Sequence, residues 1–258
     1  MSTARVVRVA GPSATVHLDG ELIELPLAPR LDGGPPVAGD LVTIRNEGED
    51  GIVAGIEPRR TSLVRSVGGR RDRTIVANTE LLLVVASAVD PPLRPRLVDR
   101  YLVAGAVGGM RAALIVTKTD LPHDEAELED VLSIYREVGY PVLAGVAADP
   151  AVAEAVLALI DGRIAALVGH SGVGKSTLTS ALTGVERATG EVNERIGKGR
   201  HTTTDPRLIP LPGGGAVVDT AGVRAFHLPD LDPEDLVAGF PEIAAASADC
   251  RFRGCRHL

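Results

Sequence analysis

Gly169-His170-Ser171-Gly172-Val173-Gly174-Lys175-Ser176 places three glycines, a lysine and a hydroxyl at the spacing of a phosphate-binding loop. Glycines let the backbone wrap phosphate groups. The lysine reaches the β- and γ-phosphates, and the Ser176 hydroxyl can bind Mg²⁺. Thr177 follows directly and joins the same nucleotide-binding set. An apolar strand, IAALV, precedes the loop and a helix is expected from Lys175, which is the context such a loop requires. A glycine-rich turn without function is the bland alternative, and an ungapped match in that context argues against it. The chemistry is binding of a nucleoside triphosphate.

Downstream, GGAVVDTAGV puts Asp219 at the end of a second short apolar strand, where a P-loop protein keeps an aspartate that helps hold Mg²⁺. Thr220-Ala221-Gly222 completes a DTAG element, whose glycine N–H is suited to the γ-phosphate. Between the two motifs runs GKGRHTTTD, a threonine-rich loop in the place of a switch I segment. Thr202, Thr203 and Thr204 are each candidates to close on Mg²⁺ and the γ-phosphate, and nothing in the sequence selects among them. Ras-type enzymes follow the DTAG glycine with a water-orienting glutamine, but here that residue is Val223. Slow intrinsic turnover is expected. His201 is the nearest polar group that could assist, with a loop histidine of no role as the alternative.

A fourth element, Thr117-Lys118-Thr119-Asp120, ends the apolar run Ala112–Val116. Asp120 is placed to accept two hydrogen bonds from the guanine edge, whereas adenine offers no matching donor pair. Lys118 would lie along the base. Thr117 stands where asparagine is usual and lacks its amide. The motif order is base reader, P-loop, switch I, DTAG; an ordinary GTPase begins with the P-loop and ends with the base reader. This is the order of a circularly permuted GTPase, tolerated because domain termini often lie close together. Movement at Gly222 would then pass directly into the C-terminal segment.

The elements that must position these groups follow from periodicity. Residues 4 to about 58 read as five short strands, RVVRVA, ATVHL, ELIEL, DLVTIR and GIVAGI, between turn residues. They predict a small barrel of OB type, with APRLDGGPPVAGD as a loop inside it. From about Thr74, continuous apolar strands alternate with amphipathic helices, which predicts a mostly parallel sheet covered on both faces. The expected fold is therefore an α/β P-loop domain with an N-terminal OB-like barrel and a short C-terminal zinc-binding segment. The expected boundaries are 1–60 for the barrel, 61–73 for a basic linker, 74–228 for the permuted GTPase domain and 229–258 for the tail.

The chain has 258 residues, of which 45% are hydrophobic and 24% charged, as in an ordinary soluble protein. No run reaches membrane-span length and no signal peptide is apparent, so a cytoplasmic monomer with no membrane partner is expected. A net charge of −7 argues against a general nucleic-acid coat. A local basic patch is not excluded: Arg59 to Arg73 holds six arginines against one aspartate, with a solvated linker as the bland reading. The tail sets Cys250, Cys255 and His257 together, a combination that suits zinc but supplies no fourth ligand. Two plain thiols are the alternative.

The permuted order, the strand-rich N-terminus and the Cys-Cys-His tail resemble the ribosome small-subunit-dependent GTPase A family (RsgA, also called YjeQ). The resemblance is nearly full length and rests on GDLVTI, IEPRRTSLVR, IVANTELLLVVASA, TKTDL, GHSGVGKSTL, GKGRHTTT, DTAGVR and CRFRGCRH. It implies an OB domain, a permuted GTPase domain and a small zinc domain. It also implies GTP/GDP and Mg²⁺ as ligands, binding to the small (30S) ribosomal subunit and its rRNA during late maturation, and GTP turnover stimulated by that subunit. His201 is the catalytic residue that the family suggests, and Cys250, Cys255 and His257 are its zinc positions. The family pattern carries a further cysteine and a helical extension after the histidine, and this sequence has neither. Val146 in GVAADP stands where a serine contacting the base is expected. A P-loop kinase would need an acceptor pocket and lid that no motif announces. An RNA-binding module with a structural, unhydrolysed nucleotide is the remaining alternative.

Overall fold

The computed structural model describes residues 2–47, 50–67, 71–184, 206–220 and 226–252. Strands β1 (Ser2–Ala10), β2 (Ser13–Leu18), β3 (Glu21–Asp32), β4 (Leu41–Glu47) and β5 (Asp50–Ile56) close into a barrel in the order β1-β2-β3-β5-β4. Strand β4 pairs back onto β1, and β3 runs parallel to β5. Alternate residues point inward, so Val6, Ala14, Val16, Val42 and Val53 fill the interior without reaching solvent. The expected loop is shorter than the sequence suggests, because residues 28–32 continue β3, with Asp32 paired to Gly55. Pro26 and Pro29 read as turn punctuation and disguise a strand that tolerates them.

Segment 61–73, expected as a basic linker, forms β6 (Ser62–Val67) and the start of β7 (Arg71–Ala77), an antiparallel hairpin. Leu63 and Val76 are fully buried in the core of the following domain, beside Val7 and Ala38 of the barrel. The barrel meets the hairpin closely at Gly39, whose φ of 93° lies in the left-handed region. A Cβ there would stand 1.9 Å from the Ala77 carbonyl oxygen. Beside it, the Arg59 guanidinium makes two 2.8 Å bonds to the fully buried Asp40 carboxylate and a 3.0 Å bond to the Thr74 hydroxyl. That carboxylate holds Arg59 above its ordinary pKa, with burial opposing.

The second domain is a six-stranded sheet ordered β10-β9-β8-β11-β13-β12. Its strands are β8 (Leu81–Ser87), β9 (Arg111–Thr117), β10 (Val142–Ala144), β11 (Ile164–Val168), β12 (Arg207–Pro210) and β13 (Ala216–Asp219). All pair in parallel except β12, an antiparallel edge strand that the sequence reading did not foresee. Four residues of RLIP beside a threonine-rich loop carry too little pattern to announce a strand. Helices α1 (Pro95–Val107), α2 (Glu125–Val138), α3 (Pro150–Ile160) and α4 (Lys175–Thr183) cover the sheet. Leu82, Val84 and Ala86 face the side packed by Tyr101, Leu102, Leu132 and Tyr135. Leu81, Leu83 and Val85 face Val156, Ile160, Leu178 and Leu182. That strict alternation is why β8, buried at every residue, is apolar from Leu81 to Ala86.

Helix starts are set locally. The Asp124 carboxylate accepts the Ala126 and Glu127 N–H groups at 3.0 Å, and Asp149 accepts Ala151 N–H at 2.9 Å. Two short helices, α5 (Pro233–Ala238) and α6 (Pro241–Ala248), close the described chain. The segment that leads to them is anchored by fully buried Phe226, whose ring lies 4.4 Å from that of Tyr101.

Candidate functional site

The sheet follows strand β8 outward to β9 and β10, then returns to β11 on the opposite side of β8. Such a reversal opens a crevice at the carboxyl ends of the strands, where ligands bind in open α/β sheets. Every described motif of interest ends there. Strand β11 stops at Gly169, and α4 begins at Lys175. Gly169, Gly172 and Gly174 take φ values of 151°, 86° and 90°. A Cβ on Gly169 would lie 2.1 Å from the Val85 carbonyl oxygen, so only glycine lets the loop leave the strand beside β8. Lys175 is buried, and its ammonium donates to the Gly169 carbonyl at 3.0 Å and the His170 carbonyl at 2.8 Å. Burial pushes its pKa down to about 8, and the nearby Asp219 carboxylate partly opposes that shift. Ser176 is exposed on the first turn of α4, with Thr177 half-buried beside it. Ser171 is exposed and His170 half-buried at the loop's mouth, and Val173 is buried beneath it.

Strand β9 delivers Thr117 to the same crevice, fully buried. Its hydroxyl lies 2.6 Å from the Val173 carbonyl of the P-loop and 3.1 Å from the Ala86 carbonyl. The asparagine amide that the sequence lacks is thus replaced by a hydroxyl that still joins the tetrad to the P-loop, 56 residues apart in the chain. Sequence reasoning counted Thr117 in the base reader and noted the missing amide, but no local pattern could have revealed a partner so distant. Lys118 has a φ of 59°, a left-handed backbone rare outside glycine, and its ammonium donates to the Asp90 carbonyl. Thr119 is half-buried and Asp120 is exposed. The loop after β10 closes the far side. Gly145 N–H donates to the Val116 carbonyl at 2.9 Å, Val146 is half-buried, and Ala147 is buried against the P-loop side of the core.

Asp219 ends β13, half-buried, and the adjacent Thr220 hydroxyl donates to the Leu167 carbonyl of β11 at 2.6 Å. Ser176 and Asp219 offer a hydroxyl and a carboxylate, the hard oxygen donors that Mg²⁺ takes. His201, Thr202, Thr203, Thr204 and Gly222 lie outside the described residues, as do Cys255 and His257 of the tail. Cys250 is a half-buried free thiol. Among the described residues no three His, Cys, Asp or Glu side chains stand close enough to hold a metal, and no helix is long and apolar enough to cross a membrane.

A P-loop, a TKTD tetrad and a strand-end aspartate gathered at one crevice, with the tetrad first in the chain, define a circularly permuted GTPase. The chain belongs to the RsgA GTPase family, whose model matches residues 56–229. Membership implies GTP and GDP as ligands together with Mg²⁺. A relative from Azotobacter vinelandii, "Small ribosomal subunit biogenesis GTPase RsgA", is 39% identical over 93% of this chain and 71% of its own length. Relatives of the same name come from Pseudomonas fluorescens (40% identity, 86% of this chain, 65% of the relative) and Chlorobaculum tepidum (37%, 98% and 86%). Among solved structures, YloQ, described as a circularly permuted GTPase, superposes with a TM-score of 0.72 at 25% identity, covering 100% of this chain and 84% of that one. The fold is shared with YjeQ from Thermotoga maritima, with a TM-score of 0.71 over 99% of this chain and 86% of that one, at 24% identity.

Proposed function

We propose that this chain binds GTP·Mg²⁺, hydrolyses it slowly alone and faster on the small ribosomal subunit, and uses that cycle to time its release during late subunit maturation. The observation that carries the reading is the Thr117–Val173 hydrogen bond, which makes the tetrad and the P-loop one site despite the permuted order. The relatives named for small-subunit biogenesis support the choice of partner.

In this reading Asp120 accepts the paired donors of guanine, and Lys118 lies along the base. The P-loop backbone from Gly169 to Gly174 and the N-terminus of α4 receive the phosphates. Lys175 exchanges the Gly169 and His170 carbonyls for phosphate oxygens. Ser176 and Asp219 would hold Mg²⁺, which would supply positive charge beside the phosphates. Thr202, Thr203 and Thr204 supply the switch I contact, Gly222 the N–H for the γ-phosphate, and His201 the polar group that Val223 cannot provide. Zinc at Cys250, Cys255 and His257 belongs to the same reading and rests on the family resemblance.

The hairpin β6–β7 is the proposed rRNA-facing element. Its register sets Arg65 directly opposite Arg73, and like charges so placed repel unless an anion lies over them. The deciding experiment is phosphate release from GTP with and without purified small subunits, with ATP as control. Stimulation of GTP turnover alone is expected. Equal use of ATP would overturn the guanine assignment, and bound GTP that never turns over would leave a structural-nucleotide RNA-binding protein.

A further inference from the structure

Ser87, the last residue of β8, is a buried polar residue in none of the nucleotide motifs. Its hydroxyl donates to the Pro91 carbonyl at 2.7 Å and folds the start of the β8–α1 connection back on itself. The Ala88 N–H donates to the Thr117 carbonyl at 2.9 Å, which fastens the same connection to the end of β9. On its other side the connection lies beside the P-loop: a Cβ placed on Gly172 would stand 3.6 Å from Pro91 Cδ. Between those fixed points stands the Asp90 carbonyl, and it accepts the Lys118 ammonium.

A lysine has about the greatest rotamer freedom of any side chain, so an unanchored Lys118 would have to be ordered at the moment of binding. One already held beside the base site avoids that loss, which is how preorganisation raises affinity. We propose that Ser87 is a positioning residue for base binding: by pinning the β8–α1 connection it presents the Asp90 carbonyl that keeps Lys118 in place. The inference rests on the reading of Lys118 as a base-contact residue. It separates base holding from phosphate holding, because the P-loop cradle of Lys175 does not pass through Ser87.

The test is a binding cycle on the full chain, with competition by GDP and by pyrophosphate against a fluorescent guanine nucleotide. Ser87→Ala is expected to weaken GDP about three- to tenfold, the effect of one lost hydrogen bond, and to leave pyrophosphate affinity unchanged. Ser87→Thr, which keeps the hydroxyl, should restore GDP affinity. In a Lys118→Ala background the Ser87→Ala effect should disappear, since the lysine it positions is gone. An equal loss in both backgrounds, a matching loss for pyrophosphate, or no loss at all overturns the proposal. Parental GDP affinity in Lys118→Ala alone would instead overturn the base-contact reading beneath it.

Discussion

Lys175 is the residue whose physics is most exposed to test. Its ammonium is buried against two carbonyls, and burial brings its pKa down from 10.5 to about 8. A folded-state value below the unfolded one means that burial of the charged form opposes folding below pH 8. That opposition is relieved as pH rises from about 8 toward 10.5. Phosphates need the charged form, so binding above pH 8 must take up a proton. GDP affinity measured without added metal should fall by up to about tenfold per pH unit above 8. Lys175→Ala should bind weakly at every pH and lose that slope; a slope that survives would place the titrating group elsewhere. Asp120 makes a separate prediction. Asp120→Asn replaces one acceptor oxygen by a donor, so the ratio of GTP to ATP affinity should drop by at least about tenfold, roughly the worth of one charge-assisted hydrogen bond. An unchanged ratio would remove Asp120 from base reading. At this scale the P-loop was legible because its chemistry is written in consecutive residues. The Thr117 contact was not, because its partner is set by the fold, 56 residues away.

Elements were legible where their pattern is long. The barrel strands, apart from the end of β3, are close to their expected bounds and α4 starts at the expected Lys175, because alternation or helical spacing persists over several residues. Strand β12 and the end of β3 were hidden by brevity and by proline. The β6–β7 hairpin was hidden by its arginines, which read as solvent-facing although Leu63 and Val76 near them are core. What joins that hairpin to the barrel is the Arg59–Asp40 pair, and its burial decides its worth. Asp40 is fully buried and Arg59 side-chain exposure is 23%, so Arg59→Ala would strand a carboxylate away from water. Its expected cost is about 2–4 kcal/mol of stability. Arg163 pairs with Asp161 at 3.1 Å with side-chain exposures of 40% and 70%, so Arg163→Ala should cost under about 1 kcal/mol. Denaturant unfolding of both variants is the check, and equal losses would contradict the role given to burial.

Across the whole molecule, the permuted order was readable because each motif ends its own strand, whereas the way the barrel meets the second domain was not. Beside the Arg59–Asp40 pair, Ala77 N–H donates to the Ala38 carbonyl of the barrel at 3.1 Å, and on the hairpin's other side Ser66 N–H donates to the His227 carbonyl at 2.9 Å. The hairpin therefore lies between the barrel and the segment that follows the DTAG element, the place where a nucleotide-driven movement would be felt. Charge makes the same element stand out. A molecule of net charge −7 is repelled by RNA as a whole and would need a local cationic face to dock on it. Arg71 and Arg73 are exposed on β7, and Arg73 faces Arg65 across the hairpin. Each phosphate contact displaces counterions, so its loss weakens docking and reduces the salt dependence by about one unit of log–log slope. The double variant Arg71→Ala/Arg73→Ala should therefore need more small subunit for half-maximal stimulation of GTP turnover, with a salt slope shallower by about two. Unstimulated turnover should not change, because neither side chain belongs to the nucleotide crevice. Parental half-saturation and slope would move the docking face off this hairpin; a fall in unstimulated turnover would mean that the hairpin supports the site itself rather than its partner.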